Sequence, residues 1–213
     1  MNLHRLFGFL RKLNTVEQSN APYVLVGLGN PGREYRETRH NVGFMVIDRV
    51  CKAAGISLSR VQSKAIVGVG SFGGQRLVLA KPQTFMNLSG QSVAALVRFY
   101  KIPLEQILIA HDDLDLPVGT LRLRPSGGSA GQKGIASTIQ QLGTQEFSRL
   151  RIGIGRPPGQ MDPAAYVLRS FSSGEQPLVD QVLDRAVSAV ETFLREGLEA
   201  AMNQYNGSLQ ERS

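Results

Sequence analysis

The amino-acid sequence predicts a single-domain α/β protein whose mixed β-sheet has a parallel centre and is flanked by helices. Short Val- and Leu-rich runs alternate with segments whose apolar residues recur at helical spacing, a pattern typical of sheets with crossover helices. The chain has 213 residues, and a chain of that length buries about 70% of its extended surface on folding, enough for one core. The single cysteine, Cys51, excludes an intramolecular disulfide framework, so packing must hold the fold together.

The first elements are a buried strand and an amphipathic helix. Residues Tyr23–Leu28 form a short apolar run bounded by glycine, which is typical of a buried strand. In Phe44–Ala54 the apolar residues recur at helical spacing, and Gly55 ends that pattern.

A hairpin and a second helix follow. Lys64–Phe72 and Arg76–Ala80 are strand-like runs separated by Gly73-Gly74-Gln75, so they are predicted to pair as a hairpin. After Pro82, the segment Ser89–Tyr100 carries its apolar residues on one helical face.

The second half of the chain repeats the alternation of strands and helices. The predicted elements are a buried strand at Ile107–Ala110 that runs into His111-Asp112-Asp113, a strand at Thr120–Arg124, a helix at Gly134–Leu142 and a strand at Leu150–Ile154. The last long helix has an apolar residue every four positions from Leu178 to Leu194, with Pro177 in its first turn and Gly197 after its end.

The positive charge of the chain is concentrated in one window. There are 24 Lys and Arg against 17 Asp and Glu, a formal net charge of +7, and the sequence pI is about 9.9. Between residues 116 and 160, six basic residues and nine glycines accompany a single acid, Glu146. This window therefore predicts a surface for a polyanionic ligand, and a basic surface without a partner is the alternative.

Composition excludes several classes of protein. Hydrophobic residues make up 42% and charged residues 19% of the chain, which excludes a largely disordered or collagen-like protein. No apolar run approaches 18 residues, so no membrane span is predicted. One cysteine cannot build a four-cysteine zinc site and fits a reducing compartment, so we expect a cytoplasmic protein.

Residues 1–20 differ from the rest and are predicted to be a basic N-terminal extension, mobile and separate from an α/β domain at residues 21–213. Their first acid is Glu17, and Leu3, Leu6, Phe7, Leu10 and Leu13 fall at helical spacing. Contact with a membrane surface or a targeting role are the alternatives, although the apolar region of a secretory signal is missing.

The glycine spacing of a dinucleotide-binding fingerprint is present, but the predicted strands and helices around it are not those that the fingerprint requires. Gly27, Gly29 and Gly32 follow the first strand, and Asp48 comes about twenty residues later. Pro31 interrupts the loop, and Asp48 falls within a helical pattern instead of ending a strand. A nicotinamide-dependent enzyme therefore remains only an alternative.

Among the three histidines, His40 is the candidate general base. It lies in Thr38-Arg39-His40-Asn41 at a predicted helix start, which favours the neutral, proton-accepting imidazole. Asp112, Asp113 and Asp115 follow a buried strand, and one of them could orient the ring. The alternatives are a capping histidine and a hard-metal site at the aspartates, although no second acidic cluster completes a metal shell.

Two amides lie in loops dominated by Gly, Pro, Phe and Met. Asn30 and Asn87 each offer two donors and one acceptor, which suits recognition of a peptide or a carbonyl group. Tyr35 and Phe85 supply aromatic surface beside them. Turn formation and core packing are the alternative roles.

Taken together, these segments resemble bacterial-type peptidyl-tRNA hydrolases over about residues 23–200. The matching motifs, in order, are Gly27-Leu28-Gly29-Asn30-Pro31-Gly32 with Tyr35, Thr38-Arg39-His40-Asn41-Val42-Gly43-Phe44, Lys81-Pro82 with Thr84-Phe85-Met86-Asn87-Leu88-Ser89-Gly90, His111-Asp112-Asp113-Leu114-Asp115-Leu116-Pro117 and Leu150-Arg151-Ile152-Gly153-Ile154-Gly155. Several spaced motifs in the same order are far more specific than one glycine fingerprint.

The resemblance implies a monomeric, metal-free and cofactor-free hydrolase of the ester between a peptide and the 3′ end of tRNA. It implies that His40 activates water and that Asp112 keeps His40 in its accepting form. It implies further roles for seven residues: Asn30 in separating N-blocked from free aminoacyl ends, Tyr35, Phe85 and Asn87 in contacting the 3′ terminus and peptide, and Arg122, Arg124 and Arg151 in clamping acceptor-stem phosphate.

The sequence differs from the family pattern at Gln132-Lys133, where many family members have His-Asn. An ammonium replaces the amide that is expected to contact tRNA, so Lys133 is a tRNA-binding candidate with altered geometry. A catalytically silent RNA-binding relative of the same fold is the alternative function, and the presence of His40, Asp112, Asn30 and Asn87 favours the enzyme.

Overall fold

The structure is a computed structural model that describes residues 21–208, and its regular elements alternate as the sequence predicts. The strands are β1 (Tyr23–Gly27), β2 (Arg60–Gln62), β3 (Ala65–Phe72), β4 (Gln75–Pro82), β5 (Ile107–Asp113), β6 (Thr120–Arg124), β7 (Ser148–Gly153) and β8 (Gly207–Ser208). The helices are α1 (Val42–Ala54), α2 (Ser89–Tyr100), α3 (Lys133–Leu142), α4 (Pro163–Val167), α5 (Gln176–Glu196) and α6 (Leu198–Tyr205). Single 3-10 turns lie at Arg33–Tyr35, Arg39–Asn41, Met86–Leu88 and Leu104–Gln106.

The strands form one mixed sheet in the order β2-β3-β4-β1-β5-β7-β6-β8. The four central strands, β4, β1, β5 and β7, are parallel to one another. The outer pairs are antiparallel, including the predicted hairpin of β3 and β4. The predicted α/β class with a parallel centre is therefore confirmed.

Two apolar layers cover the two faces of the sheet. Successive residues of a strand point to opposite faces, so Leu25 of β1 belongs to the layer beneath α1 and α5, whereas Val24 and Val26 belong to the layer beneath α2 and α3. Because the carboxyl ends of parallel strands meet at one edge, the loops after β1, β4 and β5 converge there.

Two of the three glycines of the dinucleotide-like fingerprint, Gly27 and Gly29, serve packing between β1 and α1. A Cβ atom on Gly27 would lie 2.2 Å from the backbone oxygen of Gly43, and one on Gly29 would lie 2.7 Å from the ring of Phe44. Asp48 lies inside α1 and pairs with Lys81. The close helix approach explains the spacing of these glycines without a nucleotide.

The differences from the sequence prediction concern ends and short elements. β5 continues through Asp113, where the apolar pattern predicts an end at Ala110, because the polar residues still pair with β7. The short elements β2, α4, α6 and β8 carry too few residues for a periodic signal.

Residues 1–20, predicted to be a mobile basic extension, lie outside the described residues. Within residues 21–208, no helix has the length and apolar character needed to cross a membrane.

Candidate active site

A cleft of about 640 Å³ opens at the edge of the sheet where the parallel strands end. Seven residues singled out from the sequence line it: Asn30, His40, Phe85, Asn87, Asp112, Asp113 and Lys133. They come from the loop after β1, the 3-10 turn before α1, the turn after β4, the end of β5 and the start of α3. Topology therefore brings together residues that are up to 103 positions apart in the chain.

His40 and Asp112 form a buried pair. His40 lies in the 3-10 turn that leads into α1, and its Nδ1 is 2.8 Å from Oδ2 of Asp112. The side chains are only 11% and 3% exposed. A carboxylate accepts, so Nδ1 of His40 donates and Nε2 is left as the nitrogen that can take a proton. Among the three candidate aspartates, Asp112 is the one that orients His40.

The other oxygen of Asp112 is held by Gln132, a residue for which no role in the site is predicted from the sequence. Nε2 of Gln132 lies 3.0 Å from Oδ1 of Asp112, and Oε1 of Gln132 accepts from the backbone N–H of Ile135. Gln132 is the N-cap of α3 and is buried. Its position directly before a predicted helix is the one feature of the sequence that suggests an N-cap. No local feature of the sequence predicts its hydrogen bond to Asp112.

Asn30 is fixed by Asn41, the residue after His40. The backbone N–H of Asn30 donates to Oδ1 of Asn41 at 2.8 Å, and Nδ2 of Asn41 donates to the backbone oxygen of Asn30 at 2.9 Å. The backbone N–H of Met86 donates to Oδ1 of Asn30 at 2.8 Å. These bonds occupy the amide oxygen of Asn30 and orient its Nδ2 group, and they give Asn41 a structural role that sequence reasoning missed.

The turn that carries His40 is anchored by Arg39. The guanidinium of Arg39 pairs with Glu175 and lies 4.5 Å from the ring centroid of Tyr166 and 5.0 Å from that of Phe171. Burial raises the pKa of the Glu175 carboxyl, but hydrogen bonds from Ser172 and Arg39 outweigh it, so the pKa is lowered overall. Arg39 thus ties the turn that carries His40 to the segment before α5.

The remaining residues predicted to contact substrate differ in their positions. Phe85 is 58% exposed and lies at the cleft beside Asn87, which is also exposed. Lys133 is the exposed first residue of α3. Tyr35 is half-buried in the turn Arg33–Tyr35 and does not line the cleft.

The predicted clamp residues lie on one face of β6 and β7. Arg122 lies opposite Arg151, and Arg124 lies opposite Arg149, while the intervening leucines face the core. We call these four residues the arginine face. Like charges directly opposite one another destabilise a strand pair, and the ion pair of Arg151 with Asp113 offsets part of that cost.

A recess of about 250 Å³ joins part of the arginine face to the cleft. Arg124, Arg149 and Arg151 line the recess, and Ser129 and Ala130 line both the recess and the cleft. Arg122 lies on the same face but outside the recess. The positive surface is therefore continuous with the site that holds His40.

Arg149 differs from the other three arginines because it is buried. Its terminal nitrogens donate to the backbone oxygens of Gly128 and Gln145, and its guanidinium lies 4.5 Å from the ring centroid of Phe147. Burial lowers the pKa of Arg149, and the neighbouring charge of Arg151 lowers it further. Arg149 therefore holds the glycine-rich loop in place.

The aspartates do not converge as metal ligands. Asp112 faces His40, Asp113 pairs with Arg151, and Asp115 pairs with Arg156. Within residues 21–208, no three His, Cys, Asp or Glu side chains are placed to hold a metal ion together. The donor geometry therefore does not favour the metal-site alternative.

His111 is a structural histidine. Its Nδ1 donates to the backbone oxygen of Asp112 at 2.8 Å, and burial lowers its pKa, which favours the neutral ring. His111 thus supports the backbone of Asp112, next to the arginine opposite it on β7, Arg151.

Comparisons with known proteins converge on one family. A family model described as peptidyl-tRNA hydrolase matches residues 24–213. The chloroplastic peptidyl-tRNA hydrolase of Arabidopsis thaliana is 54% identical over 177 residues, covering 83% of this chain and 62% of that relative's length. The peptidyl-tRNA hydrolase of Thermoanaerobacter sp. (strain X514) is 48% identical over 185 residues, covering 87% of this chain and 100% of the relative. A crystal structure of peptidyl-tRNA hydrolase from Acinetobacter baumannii is 41% identical with a TM-score of 0.82, covering 88% of this chain and 95% of that one.

Proposed function

This chain belongs to the peptidyl-tRNA hydrolase family and is an enzyme that hydrolyses peptidyl-tRNA, and we propose that water activated by His40 performs the reaction in the cleft. The bond that breaks is the ester between the peptide, or an N-blocked amino acid, and the 3′ ribose of tRNA. Its hydrolysis recycles the tRNA. The observation that carries the proposal is the 2.8 Å distance between Nδ1 of His40 and Oδ2 of Asp112 at the cleft.

The chemistry of the proposed step follows from this tautomer. Nε2 of His40 takes a proton from water while the water oxygen attacks the ester carbonyl carbon. Asp112 stabilises the imidazolium that forms and holds the ring in the accepting orientation. The tetrahedral intermediate then expels the 3′ oxygen, which takes the proton back from His40. The products are a peptide acid and tRNA with a free 3′ hydroxyl.

The cleft walls suit the peptidyl end of the substrate. Asn30 has its amide oxygen bonded to Met86, so its Nδ2 group is oriented for a carbonyl of the peptide or blocking group. Phe85 and Asn87 add an exposed ring and a second amide beside it. Contact of Tyr35 with the 3′ terminus stays a prediction, because that side chain lies outside the cleft.

The arginine face suits the phosphates of the acceptor stem. Arg124 and Arg151 line the recess that opens into the cleft, and Arg122 extends the same face. Lys133 lies at the cleft at the start of α3, where its ammonium can meet a phosphate or ribose oxygen. A polyanion held here would place its 3′ end towards His40.

Three further expectations remain predictions. A monomer, a cytoplasmic location and independence of metals and cofactors all follow from the resemblance or the composition alone. Relatives of this chain are named as chloroplastic and as mitochondrial, so membership of the family does not fix the compartment.

The decisive experiment compares wild-type protein and His40→Ala on N-acetylated aminoacyl-tRNA. The variant should lose about 10²- to 10⁴-fold in kcat, the usual contribution of general base catalysis, and keep its tRNA affinity and melting temperature. Free aminoacyl-tRNA should be largely spared by the wild-type protein. A wild-type rate in His40→Ala would refute the base assignment, and tRNA binding without any hydrolysis by the wild-type chain would support a silent RNA-binding protein instead.

A further inference from the structure

Gln132 uses both ends of its amide in the buried wall of the cleft. Its Oε1 accepts from the N–H of Ile135 at 2.7 Å, and its Nε2 lies 3.0 Å from Oδ1 of Asp112 and 3.2 Å from Sδ of Met86. The residue is 9% exposed, so water competes little for these bonds.

Chemistry fixes which way this amide points. The N–H of Ile135 can only donate, so the amide oxygen of Gln132 must face it, and the NH₂ group must face Asp112 and Met86. Both oxygens of Asp112 then have one donor each, His40 at Oδ2 and Gln132 at Oδ1. Rotation of the carboxylate away from His40 would break both bonds.

These hydrogen bonds close a ring around the cleft. Starting from His40, the ring passes through its neighbour Asn41 to Asn30, Met86, Gln132, Asp112 and back to His40. Gln132 is the member that links the Met86 turn, which carries the substrate wall, to the carboxylate that holds the base. The N-terminus of α3 serves as the fixed support for that link.

We propose that Gln132 is a positioning residue that acts through Asp112 to hold His40 in its proton-accepting orientation, an inference that rests on the proposed roles of His40 and Asp112. The donor from Gln132 also takes up part of the negative charge on Asp112. Without it, that charge acts more fully on His40 and favours the imidazolium. Loss of Gln132 should therefore lower kcat and move the acid limb of the activity profile to higher pH.

The variant Gln132→Ser separates positioning from helix capping. Serine is a good N-cap, but it is too short to reach Asp112, so the helix keeps its cap while the carboxylate loses its donor. We expect kcat to fall roughly 10- to 100-fold, as for a misplaced catalytic group. The KM should stay within about two-fold, since the ground-state interactions with the substrate are untouched. The melting temperature should stay close to wild type, and the acid limb should shift upward.

Three controls make the outcome decisive. Gln141→Ser tests the same exchange at an exposed position of α3 and should behave as wild type. Gln132→Ala should match Gln132→Ser in kcat and also lower the melting temperature. In an Asp112→Asn background, Gln132→Ser should cause little further loss of kcat, because both substitutions disrupt the same hydrogen-bonded unit with His40.

The failures of the two proposals are distinguishable. If His40→Ala remains active, the proposed mechanism falls and this inference falls with it. If His40→Ala is inactive but Gln132→Ser keeps the wild-type kcat and pH profile, only the role of Gln132 is refuted. A loss of kcat in Gln132→Ser that comes with a lower melting temperature and an unshifted acid limb would also refute it, in favour of a structural role.

Discussion

Two neighbouring regions of this protein differ in how their polar and charged groups are paired. Around His40 lies a buried network whose side chains have fixed hydrogen-bond partners: Asn41, Asn30, Gln132 and Asp112. On the arginine face, like charges lie directly opposite each other, and Arg124 makes no ion pair among the described residues. The first arrangement gives orientation, and the second leaves cationic groups available for a polyanion.

The difference fits the roles that we propose for the two regions. A general base must be held in one tautomer within a few tenths of an ångström, which requires a buried and satisfied network. Phosphate binding is driven by charge and counterion release, which tolerates imprecise geometry but requires accessible cations. Arg151 combines both modes, because Asp113 holds its Nε while its terminal nitrogens remain for a ligand.

The largest effect that tests this contrast is expected from Asp112→Asn. The amide would present its NH₂ group to Nδ1 of His40 and put the proton on Nε2, which removes the base. We expect kcat to fall about 10²- to 10⁴-fold with little change in tRNA affinity. Single-turnover hydrolysis and filter binding measure the two quantities, and Asp115→Asn, at the exposed pair with Arg156, is the control. A parallel loss of binding would show that the two regions are not separable.

The next effect is expected on the arginine face, from Arg124→Ala combined with Arg151→Ala. Binding of all tRNAs should weaken alike, and the slope of log affinity against log salt should fall by about one for each phosphate that the variant no longer binds. The matched control is Arg49→Ala on α1, whose guanidinium pairs with Asp180 and Asp184 away from the cleft. An unchanged slope in the double variant would count against phosphate binding by these arginines.

A smaller effect is expected at Glu175, which anchors the turn that carries His40. Its pKa is lowered in the folded protein, so its contribution to stability is present above the ordinary carboxyl pKa and is lost as the pH falls through the lowered value. Glu175→Gln should cost about 1 kcal/mol of unfolding free energy at pH 7, as for a partly exposed ion pair. Urea unfolding at pH 7 and again well below pH 4 checks this, because the two proteins should converge in acid. A gap that persists in acid would mean that the charge of Glu175 does not stabilise the turn.

The smallest effect is a gain of stability on the arginine face. Arg122→Thr removes the like charge opposite Arg151 and places a strand-favouring residue on β6, so unfolding should cost a few tenths of a kcal/mol more, and at most about 1. The KM for peptidyl-tRNA should rise. The control is Arg60→Thr on β2, which lies opposite Val67 and should show no such gain. A destabilised Arg122→Thr protein would show that the charge pair is compensated within the chain.

Much of this contrast was foreseeable from the sequence, for identifiable reasons. The helix predicted at Ser89–Tyr100 has the bounds found in the structure, because its apolar period and its flanks are local properties. The positive window at residues 116–160 is visible in composition and supplies the arginine face. His40 could be singled out as the candidate base because the chain has only three histidines and His40 lies at a predicted helix start.

Other parts of the site were not visible in local pattern. Sequence patterning by itself leaves open which aspartate faces His40, and the resemblance to a family names Asp112. In the structure, the alternation of β5 sends Asp112 to the face of α1 and its neighbour Asp113 to the opposite face, where Arg151 lies. Gln132 and Asn41 escaped prediction because their roles depend on hydrogen bonds to other parts of the chain, to Asp112 and to Asn30, which no local pattern gives.

The sequence by itself therefore determined the class of fold, the candidate base His40 and the site of excess positive charge, since periodicity, residue type and charge are properties of short segments. Only the tertiary structure decided which groups share a hydrogen bond and which cations remain accessible. The physical reason is that parallel strands bring loops from distant parts of the chain to one edge of the sheet. There, burial and the direction of each side chain select the partners.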